Sequence, residues 1–185
     1  MKNICLSILT SAVAFVAALC ATNLQAAKTN TTPTRIGTYD SRAVAFEWFW
    51  SGKHQSQLNE LMQTARAAKT AGDTNRFHEL DATLRQHQDE MHREVFSTAP
   101  PTEALTELKE RLPEIQKAAG VSAIVSKWDD AALKKYPNAE QVDVTDRLVR
   151  EFKPTAKQLK VISGFEKSKP LPLEQCNELI RKGEI

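Results

Sequence analysis

The sequence has few of the residues and none of the short motifs that would identify a chemistry directly. Its 185 residues include three cysteines, six glycines and four histidines. It has no glycine-rich phosphate loop, no Gly-x-Ser-x-Gly nucleophile elbow and no Cys-x-x-Cys pair. These absences remove the usual signatures of nucleotide-binding enzymes, α/β-hydrolases and thiol oxidoreductases. We therefore predict that the protein is not an enzyme.

The sequence also lacks an excess of charge of either sign. Lysine and arginine number 25 against 23 aspartates and glutamates, which gives a net charge of +2. A domain that binds nucleic acid usually has a strongly basic surface, so no nucleic-acid partner is predicted. Apolar residues at 41% and charged residues at 26% are typical of a folded protein, and exclude a fully disordered chain or a polytopic membrane protein.

The N-terminal residues have the layout of a secretory signal peptide. Lys2 precedes an uncharged apolar run from Ile4 to Ala21, and small residues follow it. Cleavage is predicted after Ala26, with Ala27 as the alternative, and a retained membrane anchor is the competing interpretation. We expect residues 1–26 to direct export, so that the protein is periplasmic or secreted with no stable membrane insertion after cleavage.

Cysteines cannot stabilise the mature chain internally. Cys5 and Cys20 leave with the signal peptide, so Cys176 remains alone. An exported protein without disulfides depends on a packed core or on oligomerisation. We predict that Cys176 is unpaired and partly buried, with a bridge between two chains as the alternative.

The longest helical pattern lies between Gln55 and Phe96. Gly72 divides it, because glycine favours a helix end and the following Asp73 or Thr74 can cap a new helix. Each half has one narrow apolar seam, which predicts an antiparallel hairpin over residues 53–96 that projects as an arm. The seam residues are Leu58, Leu61, Ala65, Ala68, Phe77, Leu80, Leu84, His87, Met91 and Glu94.

Short strands are predicted on both sides of the arm. Residues 36–39 and 121–126 have strand-like composition, and a third strand is expected at 131–136 or at 141–144. A short helix is the alternative for 131–136. The predicted fold is α+β and mainly helical, a small antiparallel sheet body with a projecting helical hairpin arm.

The remaining segments complete the domain organisation. Residues 27–34 are predicted to be a flexible lead, residues 35–153 the body with its arm, and residues 154–185 a C-terminal helical extension. A helix that begins at Thr102 or Glu103 contains Pro113, which should bend it or divide it into two pieces.

Four aromatic residues are the candidate contact site. Phe46, Trp48, Phe49 and Trp50 lie within five residues, just before the arm. They are interpreted mainly as core or subunit contacts. The functional alternative is an exposed patch that binds client proteins, because contiguous exposed apolar surface usually marks an interaction site.

The histidines do not predict a metal site. His87 and His92 are five residues apart, about 140° around a helix, so they cannot hold one ion together. His87 shares a helix face with Glu90, as His78 does with Asp81, but two ligands do not close a site. No metal and no cofactor are therefore predicted.

Paired acidic and basic residues do not predict catalysis either. Asp40 lies two residues before Arg42, and Asp143 lies three residues before Asp146. Such pairs can act as acid–base groups, but here they are better explained as turn and helix-cap residues. No catalytic residue is predicted.

Three sequence blocks resemble the Skp (OmpH) family of periplasmic chaperones. Residues 35–44 resemble the family's opening strand and short helix. Residues 118–125 and 142–149 resemble its closing stretch, in which a glycine-bearing helix end precedes an apolar strand and an Asp-x-Thr-Asp turn starts the last helix. The resemblance covers about residues 35–153.

The resemblance implies a trimer whose strands form a small barrel-like body and whose arms enclose unfolded outer-membrane proteins. We therefore expect an oligomeric, ATP-independent periplasmic chaperone, or holdase, that binds unfolded envelope proteins. The alternative is an exported structural or protein-interaction protein of the cell envelope without chaperone activity.

Overall fold

The computed structural model describes residues 34–185. The predicted signal peptide and nearly all of the predicted flexible lead lie outside the described residues. Within them the chain is mainly helical, as predicted, with a small sheet. In chain order the elements are β1 (Arg35–Tyr39), α1 (Ser41–Phe49), α2 (Gly52–Thr70), α3 (Thr74–Phe96), α4 (Thr102–Glu107), α5 (Leu112–Ala119), β2 (Ile124–Ser126), α6 (Asp130–Leu133), β3 (Glu140–Asp143), α7 (Thr145–Arg150), α8 (Ala156–Phe165) and α9 (Leu173–Lys182).

The sheet is parallel, so the prediction of an antiparallel sheet was wrong. The strand order is β2-β1-β3, and β1 pairs in parallel with both neighbours. The physical reason is the long connection over residues 127–139, which includes α6. A connection of about a dozen residues or more can carry the chain across to the other edge of a sheet, whereas a tight hairpin cannot.

The strand bounds also differ in detail from the prediction. The second strand is limited to Ile124–Ser126, and the third is Glu140–Asp143, close to the predicted 141–144. Residues 131–136 form no strand, and the short helix α6 lies there instead. Asp129 caps this helix by accepting a hydrogen bond from the Ala132 amide.

The strand β1 passes through a crowded centre at Gly37. A Cβ atom at this position would lie 3.1 Å from Val144, 3.2 Å from Ile124 and 3.3 Å from Val121. Glycine thus lets β1 approach the segments on both sides.

The helix α1 is the centre of the body. All nine of its residues, from Ser41 to Phe49, are buried, and the helix contacts α3, α4, α7 and α8. Asp40 caps it, as predicted, and accepts a hydrogen bond from the Arg42 amide at 3.1 Å. The main core gathers around this helix and includes Val95, Leu108, Leu148 and Val149.

The hairpin is formed by α2 and α3. Gly72 has a positive φ of 74° and ends the turn, and Asp73 caps α3 by accepting from the Arg76 amide. Both features confirm the predicted end of the first helix of the hairpin and the predicted start of the second. Its own core is small: Ala65, Ala68 and Leu80 are buried, with Leu61, Phe77 and Leu84 partly buried around them.

The helix that was predicted to contain Pro113 is two helices, α4 and α5. Pro113 lies in the first turn of α5, where a missing backbone N–H has no cost. Gly120 ends α5 in the left-handed conformation, which glycine adopts without a steric cost.

The C-terminal helices pack against the body. Phe165 of α8 meets Phe46 edge to face at 5.8 Å, and α9 contacts α3. Backbone hydrogen bonds join Leu171 to Phe96 and Thr98. Cys176 is a free thiol among the described residues and is fully buried, rather than partly buried as predicted. No helix in residues 34–185 is both long and apolar enough to cross a membrane.

Candidate functional site at the root of the hairpin

A groove of about 340 Å³ lies where the hairpin leaves the body. Its lining comes from the end of α1 and from the first half of α2 and the second half of α3. The lining residues are Phe49, Trp50, His54, Gln55, Leu58, Met62, Leu84, His87, Gln88 and Met91. Among the described residues it contains no lysine, arginine, aspartate or glutamate. The groove is therefore apolar with a few neutral polar groups.

The groove follows from a change of residue size along the hairpin seam. Farther from the body, Ala65 and Ala68 are small and buried, so α2 and α3 pack closely there. Nearer the body, the longer Leu58 and Met62 face the groove from α2, and Met91 faces it from α3. These three residues are half-buried, so their side chains remain available to a binding partner.

The structure divides the predicted aromatic cluster into two groups. Phe46, Trp48 and Phe49 are buried in the main core. Trp50 remains 42% exposed and stacks on Phe46, with 4.5 Å between ring centroids. Of the four, Phe49 and Trp50 line the groove. Three of the four aromatics therefore belong to the core, and Trp50 is the one that is exposed.

His54 is a buried histidine on the wall of the groove. It lies edge to face against Phe49 at 5.0 Å and against Trp48 at 5.4 Å, and its ring centroid is 6.1 Å from that of His87. Burial lowers the pKa of His54, His87 lowers it further, and Glu103 opposes the shift. At neutral pH its imidazole is therefore uncharged.

Four of the ten groove residues were predicted to lie in the hairpin seam, but the prediction did not separate them from its core. Leu58, Leu84, His87 and Met91 were all assigned to the seam. Met62 was missed, because the predicted seam passed through Leu61 instead. The four-residue spacing between Leu58 and Met62 was the available signal, since residues four apart share a helix face.

A second crevice, of about 520 Å³, lies at the carboxyl ends of the parallel strands. Ligands often bind at this edge of a parallel sheet. Here, however, Asp40 is buried and already engaged: it accepts from Arg42 Nε at 3.1 Å and from Trp128 Nε1 at 3.0 Å, and pairs with Lys127 at 2.9 Å. Burial alone would raise the pKa of Asp40, but these hydrogen bonds lower it to about 2.

Two other acidic residues of this crevice, Asp143 and Asp146, also have structural partners. Asp143 accepts from the Thr145 amide at 2.7 Å at the start of α7, and Asp146 pairs with Arg150 on the surface. A carboxylate with a very low pKa and several fixed donors is a poor proton acceptor. These contacts support the interpretation of the acidic residues as turn and cap residues.

Comparisons with known proteins give no assignment: no family model, no curated protein and no solved structure matches this chain.

Proposed function

We propose that this protein is an ATP-independent holdase of the cell envelope that binds unfolded exported proteins in the groove at the root of its hairpin. The observation that carries the proposal is the apolar groove beside the exposed indole of Trp50. Export through the signal peptide, a periplasmic location and the absence of enzymatic activity are parts of the same proposal.

The side chains of the groove suit a client of variable sequence. Met62 and Met91 have flexible, polarisable thioethers, and such side chains adapt to different apolar partners. Gln55 and Gln88 add amide groups that can both donate to and accept from the backbone of a bound segment. The described lining has no charged acid or base that would select a charged small molecule. An apolar segment of unfolded polypeptide therefore fits this groove best.

The weak packing of the hairpin supports reversible binding. Only Ala65, Ala68 and Leu80 are buried in the core between α2 and α3. Elements with few buried apolar contacts open locally at a low cost in free energy. A hairpin of this kind can adjust to a client and release it without nucleotide hydrolysis, in a compartment that lacks nucleotide.

We further propose that the protein acts as a homo-oligomer, with a trimer implied by the resemblance to the Skp family. The sheet has three short strands, and the outer edges of β2 and β3 have no partner strand among the described residues. Open strand edges can pair with another chain. Light scattering at micromolar concentration should detect an oligomer, and a stable monomer would remove this part of the proposal.

Suppression of aggregation tests the holdase activity. A denatured outer-membrane protein is diluted into buffer with the full chain, with Trp50→Ala or with Phe96→Ala, and turbidity is followed over time. Phe96 is the matched control because it is 43% exposed, close to the 42% of Trp50, but does not line the groove. We expect the Trp50 variant to lose most of the suppression and the Phe96 variant to keep it.

Two outcomes would contradict the proposal in different ways. If the unmodified protein does not suppress aggregation at a molar excess, the holdase activity is wrong, and an exported interaction protein of the envelope becomes the better assignment. If both variants suppress equally well, the groove is not the binding site. Thermal unfolding of each variant checks that the loss of the indole, which stacks on Phe46, has not unfolded the body.

A further inference from the structure

Three potential metal ligands converge beside the groove. His87 and Glu90 lie three residues apart on α3, and Glu103 lies in the first turn of α4. One ligand atom from each of these residues lies within 4.8 Å of the other two. Ligand atoms of a tetrahedral zinc ion are about 3.3 Å apart for bonds of about 2.0 Å. Small side-chain rotations of these partly exposed residues would bring them to that spacing.

His54 adds a fourth potential ligand from α2. Its Nδ1 lies 4.0 Å from Glu103 Oε2, beyond hydrogen-bond distance, and its side chain is only 7% exposed. None of the hydrogen bonds within residues 34–185 involves its ring. His54 approaches the cluster through Glu103 and is not one of the three residues whose ligand atoms lie within 4.8 Å of one another. Its ring would therefore have to turn toward the ion to become the fourth ligand.

The charge around the cluster favours a cation. Glu90, Glu94 and Glu103 lie near one another, and no lysine or arginine forms a salt bridge with any of them in the described part of the chain. Glu94 is buried beside Glu90 and Glu103, with Arg93 as the neighbouring cation. Among these residues, carboxyl groups outnumber cations.

The surroundings also hold one ligand in place. Trp48 Nε1 donates a hydrogen bond to Glu103 Oε2 at 3.0 Å. Glu94 Oε1 accepts from the Thr102 amide at 2.9 Å and so fixes the start of α4 against α3. In metal sites, hydrogen bonds of this kind orient the residues that bind the ion.

We propose that His54, His87, Glu90 and Glu103 bind a single divalent transition-metal ion of the zinc class. Two imidazoles together with two carboxylates favour such an ion over Ca²⁺ or Mg²⁺, which prefer sites made only of oxygen. The ion connects α2, α3 and α4 at the root of the hairpin. Because His54 and His87 also line the groove, the ion fixes the shape of the groove wall. This inference does not depend on the holdase activity.

Zinc binding to the full chain, purified without a metal-binding tag, tests the proposal. Isothermal titration calorimetry with Zn²⁺ should give one site per chain, and bound Zn²⁺ should raise the melting temperature. His87→Ala and Glu90→Gln should each weaken the affinity by about tenfold or more. His78→Ala is the matched control, because His78 is an exposed histidine on the same helix outside the cluster. We avoid His54 as the first variant because its burial makes misfolding a confounding result.

Three results would overturn the proposal. The first is no saturable Zn²⁺ binding by the correctly folded full chain. The second is an equal loss of affinity in His78→Ala and His87→Ala, which would indicate nonspecific histidine binding. The third is Mg²⁺ binding as tight as Zn²⁺ binding. Circular dichroism of each variant confirms its fold before affinities are compared, and none of these measurements involves a client protein.

Discussion

The body and the hairpin use helices in opposite ways. In the body, all nine residues of α1 are buried, including the polar Ser41, Arg42 and Glu47. In the hairpin, α2 and α3 are much longer, yet away from the body only Ala65, Ala68 and Leu80 are buried between them. The shorter helix therefore has contacts on all sides, and the longer pair has a single narrow seam.

The difference teaches where this chain concentrates its stability. Regions with many buried contacts exchange their amide protons only on global unfolding, whereas thinly packed elements open locally. The body also contains buried charged groups whose removal or ionisation has large effects, and the hairpin core contains none. Substitutions in the two regions should therefore differ in how much unfolding free energy they remove and in how much of the molecule they destabilise.

Arg42→Met should have the largest effect. Arg42 forms a buried ion pair with Asp40 at 2.9 Å and donates to the carbonyl oxygens of Phe165 and Ser168. The substitution leaves a buried carboxylate with fewer partners, which costs about 3–5 kcal/mol of unfolding free energy. Urea denaturation measures the loss.

Arg150→Met is the control for this substitution. Arg150 pairs with Asp146 at the surface, where an ion pair contributes about 1 kcal/mol or less. Equal losses in the two variants would show that the Asp40 cluster does not contribute more than an exposed ion pair.

Glu47→Gln should remove a dependence of stability on pH. Both carboxylate oxygens of Glu47 are buried without a hydrogen-bond partner among the described residues, and burial raises its pKa from 4.5 to about 7. As pH rises, Glu47 ionises at a lower pH in the unfolded chain than in the native state. The native state therefore loses about 3 kcal/mol of unfolding free energy between pH 4.5 and 7, with no further loss above that range. Below pH 4.5 the group is protonated in both states and has no effect.

Urea denaturation of the unmodified protein and of Glu47→Gln across this pH range measures the effect as a difference in unfolding free energy. The contributions of other titrating groups cancel in that difference. The difference in unfolding free energy between the unmodified protein and Glu47→Gln should change with pH in this range. The difference between the unmodified protein and the exposed control Glu110→Gln should not. A difference that does not change with pH would mean that Glu47 has a partner in solution or is hydrated.

Leu80→Ala should have the smallest effect and the most local one. It removes the largest buried side chain of the hairpin core, at an expected cost of about 2 kcal/mol, the lower end for such a substitution. Hydrogen exchange should accelerate in α2 and α3 around this core but not in α1. Leu148→Ala, in the body, should cost about 4 kcal/mol and accelerate exchange throughout. Accelerated exchange of α1 in Leu80→Ala would mean that hairpin and body unfold together.

Local chemistry made the hairpin predictable. The three-and-four spacing of its apolar residues, the positive φ of Gly72 and the Asp73 cap depend only on residues close in sequence. The same is true of the Asp40 cap and of the break at Pro113. Groove residues were found in the seam for this reason, but their exposure depends on how the hairpin joins the body, which spacing does not describe.

The direction of the sheet was not predictable from strand composition. Short apolar segments look alike in parallel and antiparallel pairs, and only the path of residues 127–139 places β3 on the far edge of β1. The candidate metal cluster was missed for a similar reason. His87 and Glu90 share a helix face and were noted as a pair. His54 and Glu103 lie far from them in sequence and reach them only through folding.

By itself, the sequence therefore determined the hairpin, the caps at Asp40 and Asp73 and the break at Pro113, because each depends on neighbouring residues. The tertiary structure alone decided the parallel sheet, which of the four aromatics remains exposed, and the meeting of His54 with Glu103. These features depend on contacts between distant segments, whose formation is governed by the packing of the whole body around α1.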